Sequence, residues 1–290
     1  MRNLFLPLAL ATIAAAVVLL LSRRLRPQHG VVLTTVSLVS VFLAALISLW
    51  AVGLGYLAHE PLTASVFAWC GETFGVHHRL SPWIGLSALG IATGSTVRGF
   101  NVVRSWRRLR GSKRAELQIV AMAEPVAFAQ TGRHGGVVIS TGMLEVLEPA
   151  ERRALLAHEH AHLRHRHDRY LLVGDLATGL PPLMLLVQRL RHSLERWADE
   201  EAARIVGSRE VVARAVAHAA LASHRRPLAP LNALGANVPA RVEALLRPPV
   251  AGFQASVWAA ISATAVLIGL IATTVQLHHL ALVASAICPG

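Results

Sequence analysis

Charge is scarce in this chain of 290 residues: Asp, Glu, Lys and Arg make up 15% of it, against 54% hydrophobic residues. Soluble domains carry about a quarter charged residues, so an ordinary soluble enzyme is excluded and a membrane protein is expected. Lysine is nearly absent, with Lys113 standing against twenty-seven arginines, and the formal charge is +12. Aromatics amount to 5%, too few to interleave with the arginines as base-stacking platforms, which argues against direct nucleic-acid binding. Cysteine is limited to Cys70 and Cys288, which excludes a cysteine-based zinc site and a disulfide framework. Both fall in segments expected outside the cell, where they could pair with each other.

What the chain has instead is long apolar runs. Residues 4–21, 31–57 and 257–277 are each about the length of a span, and residues 83–97 reach that length if continued past Arg98 with its side chain snorkelling. The first run is followed directly by arginines and reads as a span, not a cleaved leader. Arginines collect at Arg23, Arg24 and Arg26 and again from Arg98 to Arg114, whereas residues 58–82 hold only Arg79. Both basic runs are therefore expected in the cytoplasm, against anionic lipid headgroups. The expected layout is a mainly α membrane protein with about four transmembrane helices. Three lie in residues 1–99, a cytoplasmic α+β block in residues 100–254, and the last span with a short external tail in residues 255–290. The arginine-dominated usage points to a high-GC bacterial genome, and the expected location is the bacterial plasma membrane.

Within the block stands Ala157-His158-Glu159-His160-Ala161-His162, an H-E-x-x-H motif. Four-residue spacing on a helix puts His158 and His162 on one face, where each can offer a ring nitrogen to zinc. Glu159, about 100° further round, can take a proton from an attacking water. Glu148-Pro149-Ala150-Glu151 upstream reads as a helix start, with Pro at the first helical position and acids in the first turn.

Catalytic zinc takes a third protein ligand and keeps one position open. Glu195 is the candidate, in a helix-forming run that Gly207 can terminate. Asp199, one turn on, can orient a ligand imidazole through its free N–H. His165 is the rival, but three ligands from one straight helix cannot readily surround an ion. His160 and His167 point away from the His158/His162 face, and Arg164 to Asp168 reads as a solvated helix end. His192, one turn before Glu195, is a candidate oxyanion stabiliser, with a surface role as its competitor.

The runs A-H-E-H-A-H-L-R-H-R-H-D and L-E-R-W-A-D-E-E-A-A-R resemble the BlaR/MecR antirepressor type of membrane metallopeptidase, and more distantly the HtpX and Ste24 membrane proteases. The likeness covers about residues 125–248, including P-A-R-V-E-A-L-L, where Arg241 and Leu245 match the family style. It implies a zincin-like metalloprotease domain with zinc on His158, His162 and Glu195, Glu159 as base, and Asp199 behind a ligand His. It also implies a polypeptide substrate, first a cytosolic BlaI/MecI-type repressor, with housekeeping proteolysis of damaged membrane proteins as the alternative. A non-catalytic metal-binding or metal-sensing membrane protein is the reading from another class.

Around the motif, residues 116–130 and 136–140 read as strands flanking a turn at residues 131–135, with Thr141 capping a short helix before Pro149. Such a hairpin can take an extended peptide as an added strand. Residues 170–187 are apolar apart from Asp175 and broken by Pro181-Pro182. A full span there would carry Glu195 to the opposite side from His158, so a non-spanning helix is expected. Residues 209–224 read as an amphipathic helix and residues 225–240 as a loop.

Overall fold

The computed structural model describes residues 2–67, 80–110, 116–130, 135–224, 238–248 and 252–287. Cys70, Cys288 and nearly all of the 131–135 turn lie outside the described residues, and the expected cysteine pairing with them.

Three long helices open the chain: α1 (Arg2–Leu21), α2 (Pro27–Leu57) and α3 (Pro82–Arg110). A fourth, α10 (Gly252–Ile287), closes it and packs against α1 and α2. Pro27 starts α2 at the first helical position, where its missing N–H costs no bond. By length and composition, Pro27–Leu57 and Phe253–Val275 can cross a membrane, while Phe5–Leu21 is apolar but shorter. The run at 83–97 is the first half of α3, which continues without a break into the arginine-rich second half. Gly85 lets α3 close on α2, since a Cβ there would collide with the Tyr56 ring.

Between α3 and α10 lies a small sheet with a set of shorter helices. Strands β1 (Leu117–Val120), β2 (Ala127–Gln130) and β3 (Gly136–Ser140) take the order β1-β3-β2, with β1 parallel and β2 antiparallel to β3. The single strand expected over residues 116–130 is thus two, on opposite sides of β3, separated by a stretch containing Pro125, which cannot donate to a ladder. Helix α4 (Thr141–Val146) is capped by Ser140, whose side chain accepts from Met143 N–H. Thr141, expected as the cap, bonds Met122 through its hydroxyl instead.

Helix α5 (Pro149–Arg164) carries the motif. It is followed by α6 (His167–Ala177), α7 (Met184–Val206), α8 (Arg209–His224) and α9 (Val238–Leu246). Gly207 ends α7 in the left-handed region at φ 78°, as its position in the sequence predicts. Helix α9 begins inside the expected loop. Its Pro239 is a first-turn residue, a position that proline tolerates, and not a breaker.

The break at Pro181-Pro182 turns α6 back into α7, and the hairpin packs on α2. Leu180, Leu183, Leu186, Val187, Leu190 and Leu194 form one core with Val31, Leu38 and Val41 of α2 and Ala11 and Ala15 of α1. Near the tip, Ser95 Oγ donates to Gly179 O at 3.0 Å and Arg98 Nη2 to Thr178 Oγ1 at 2.7 Å. Leu180, Leu183, Leu186 and Val187 of the apolar stretch are therefore buried against the long helices while Met184 and Leu185 stay exposed, and the returning α7 brings Glu195 to α5. A second core of small residues, Ala154 and Ala157 with Ala202, Ala203, Val212, Ala213 and Ala215, lets α5, α7 and α8 approach closely.

Candidate metal centre

Helix α5 is anchored at its start by a capping box between Glu148 and Glu151, with Pro149 at the first helical position. Three turns later His158 and His162 project from one face, and their Nε2 atoms stand 3.1 Å apart. Helix α7 crosses beside them and presents Glu195, with Oε2 3.5 Å from His158 Nε2 and Oε1 3.7 Å from His162 Nε2. One atom of each residue lies within 4.8 Å of the other two. Four ligands on a tetrahedral zinc at about 2.0–2.1 Å lie about 3.3–3.4 Å apart, a spacing that the three observed separations bracket.

The far sides of the imidazoles decide what the near sides can do. His158 Nδ1 faces Asp199 Oδ1 at 3.0 Å, an ion-pair contact whose angle departs from that of a good hydrogen bond. His162 Nδ1 faces His167 Nδ1 at 2.8 Å. With both Nδ1 atoms protonated toward these partners, two bare Nε2 lone pairs converge, an arrangement that calls for a cation between them. The donor set of two imidazoles and a carboxylate is that of a catalytic zinc.

Arg241 of α9 underlies the whole cluster. It is buried, bonds Asp199 with both arms at 2.8 and 2.7 Å, and sets Nη1 2.9 Å from Glu195 Oε2. Burial opposes ionisation of Glu195 and Asp199, but Arg241 outweighs it and holds both carboxyls well below their ordinary values. Burial likewise opposes charge on His158, yet its contacts with Asp199 and Glu195 push it up to about 10. His162, dominated by burial, goes down. The pair of carboxylates thus favours one added positive charge at the histidines, and a metal ion can supply it.

Glu159 is buried and lines the same cavity of about 490 Å³ as His158, His162, Glu195 and Arg241. Val126 and, in strand β2, Ala127 to Ala129 border that cavity. The rival His165 is not in the cluster and stacks on Trp197, with ring centroids 4.6 Å apart. His192 lines a different cavity, so the structure does not bring it to the metal site. His160 bonds its own helix at Leu156 O.

His167 departs from the sequence expectation. The reading of a solvated helix end assumed that α5 runs straight on, but Arg166 adopts φ 51°, breaking the helix and turning the chain. His167 is consequently 1% exposed and sits against His162, and Asp168 is buried as well. Arg241 was noted in the sequence only for its family style. No local spacing ties it to Asp199, 42 residues earlier.

Comparison with known proteins points the same way. Residues 102–227 match the family model described as Peptidase family M48. A Protease HtpX homolog of Aquifex aeolicus is 37% identical over 82 residues, covering 27% of this chain and 26% of that protein. That of Pelotomaculum thermopropionicum is 31% identical over 94 residues, covering 31% and 32%. That of Halobacterium salinarum is 29% identical over 181 residues, covering 49% and 61%. The chain spans less than two thirds of the length of each of these relatives, and no solved structure matches it. Residues 102–227 are thus similar to a metallopeptidase family, and the donor set of His158, His162 and Glu195 within them suits zinc.

Proposed function

We propose that the chain is a membrane-anchored zinc metalloendopeptidase of the HtpX-like kind, acting on polypeptides of damaged membrane proteins. The observation that carries this is the convergence of His158, His162 and Glu195 in one cavity with Glu159, beside strand β2. Cleavage of a BlaI/MecI-type repressor, the first expectation, finds no support in the relatives, whose name is Protease HtpX homolog. The housekeeping alternative fits them better.

When bound, zinc supplies Lewis acidity that polarises the scissile carbonyl and acidifies water. Glu159 takes a proton from the attacking water and returns it to the departing amine. Asp199 and His167 hold the two imidazoles by their far nitrogens, and Arg241 holds Glu195. Strand β2 pairs only with β3 among the described residues. Ser140 N donates to Val126 O directly opposite, so in the alternating antiparallel pattern Ala127 and Ala129 turn their backbone groups to the other edge. An extended substrate docks there as an added strand.

Membrane attachment and a cytoplasmic site are part of the same reading. Gly30 at the start of α2 lies against Ser193, two residues before Glu195. The cluster is thus near the arginine-flanked end of α2, which the distribution of basic residues assigns to the cytoplasm. The division at residues 99 and 254 is a proposal about sequence segments, since α7, the helix of Glu195, shares a core with α1 and α2.

The test compares the full chain in detergent with its Glu159→Gln variant, measuring zinc content and casein cleavage. The variant is expected to keep zinc and to lose about a hundredfold or more in rate, while His162→Ala loses metal and activity together. Cleavage by Glu159→Gln at the parent rate overturns the assignment of the base.

A further inference from the structure

A second cavity, of about 700 Å³, borders the face of α7 next to the one that carries Glu195 and Asp199, and it is strongly basic. Arg189, Arg196 and Arg209 line it with His192, and Arg26 and Arg247 stand at its exposed margin. Its acids are Glu200 and Glu243, which leaves an excess of three positive charges.

Both acids are already matched. Arg209 pairs with Glu200 and Arg247 with Glu243. Arg196 Nε and His192 Nδ1 are buried with no hydrogen-bond partner among the described residues. Arg196 Nε–H is thus a buried donor left unmet, which is costly, and an anion in the cavity satisfies it and offsets the crowded charge. The local field acts on His192 in the same sense: burial, then Arg189 and Arg196, push it down to about 4.

Position narrows the ligand. The walls include Pro27 and Gln28 at the start of α2, and Arg247 and Pro248 just before α10. These are the ends of the two helices long and apolar enough to cross a membrane. On the membrane reading above, this is the level of lipid headgroups, where arginine clusters between helices bind phosphate groups. Guanidinium forks match phosphate oxygens two at a time.

We propose that this cavity binds a phosphate-bearing anion, either the headgroup of an anionic lipid or a soluble phosphate. A ligand held there ties α7, the helix of Glu195, to the first turn of α2 and to α9, the helix of Arg241. The lipid source rests on the membrane reading; the anion site does not depend on peptidase activity.

The test uses the full chain in neutral detergent. Inorganic phosphate is titrated at fixed ionic strength with chloride as reference. In parallel, flotation is measured with phosphatidylcholine vesicles with and without phosphatidic acid. Arg189→Gln combined with Arg196→Gln is expected to weaken the selective binding about tenfold or more, with zinc content unchanged. Arg107→Gln with Arg108→Gln, on the exposed end of α3, removes the same charge and leaves selective binding intact. Selectivity for phosphate identifies a soluble anion, and selectivity for phosphatidic acid alone identifies a lipid. Equal binding by the two double variants, or no preference over chloride and plain phosphatidylcholine, overturns the proposal. Should the first double variant not fold, Glu243→Gln at the exposed margin decides instead: tighter binding supports the site, and unchanged binding overturns it. Loss of casein cleavage with anion binding intact separates failure of the peptidase reading from failure of this one.

Discussion

Arg241 Nη1 stands 2.9 Å from Glu195 Oε2, and the same guanidinium grips Asp199 with its other two donors. Asp199 in turn faces His158. One buried arginine therefore orients one candidate metal ligand directly and a second through a carboxylate. Arg241→Met leaves the buried Asp199 and the partly exposed Glu195 without their counter-charge, and breaking a buried pair costs about 3–5 kcal/mol. Zinc affinity is expected to fall by about 10–100-fold. Arg241→Lys keeps the charge but cannot span both carboxylates, so it should recover stability more than affinity. Chemical unfolding and chelator competition measure the two separately. A lysine variant that holds zinc like the parent would show that charge alone suffices.

The bond between His162 Nδ1 and His167 Nδ1 at 2.8 Å sets a second outcome. Burial, with the nearby His162 and His165, pushes His167 down to about 3. At neutral pH it is an uncharged ring able to accept the His162 proton. His167→Phe keeps a ring in the space but removes the acceptor, and should weaken zinc binding about tenfold or more. His167→Asn supplies an oxygen and should restore most of it. Equal zinc affinities for the two variants would mean that His167 only fills space.

These two residues also mark where the sequence was readable and where it was not. His158, Glu159 and His162 are legible because helical spacing is a local rule, and Glu195 and Asp199 follow from the same rule two helices later. The helix punctuation was equally local: Pro149 at a start, Gly207 at an end, Pro181-Pro182 at a reversal. Arg241 reaches its partners only through the packing of α9 on α7 and α8, which no spacing announces. His167 was misread because the left-handed turn at Arg166, a non-glycine residue, has no sequence signature. The split of residues 116–130 was hidden for a similar reason, since β1 pairs with β3 in parallel across an intervening strand.

Stability should respond to acid through Glu151. This carboxyl is fully buried beneath α5, where Oε2 accepts from His218 Nδ1 at 2.9 Å and from Glu148 N–H at 3.1 Å. Burial by itself raises its pKa, but the His218 and Glu148 bonds, with Arg214 nearby, outweigh it and hold the group below its ordinary 4.5. A depressed carboxyl contributes stability above its unfolded pKa and loses it as pH falls through the folded value. Glu151→Gln is expected to cost about 1–3 kcal/mol near neutrality. The gap between the parent and variant melting temperatures should close as the pH falls below 4.5. A gap that persists unchanged into acid would assign the cost to shape and not to charge.

The edge of β2 that is unpaired among the described residues gives the most selective test of how substrate is held. Ala129 lies opposite Val137, and the alternation set by the bond from Ser140 N to Val126 O directs the Ala129 N–H away from β3. Proline at this position removes one donor from the free edge and none from the ladder, and edge strands tolerate proline on that side. Ala129→Pro should therefore leave folding and zinc content near those of the parent. Loss of one backbone bond to an extended substrate, worth about 0.5–1.5 kcal/mol, should lower kcat/KM for polypeptides by several-fold to about tenfold. A dipeptide-sized substrate too short to pair along β2 should be cut at the parent rate, since it makes no use of that donor. Equal losses on long and short substrates would place the effect in the metal site instead of on the strand.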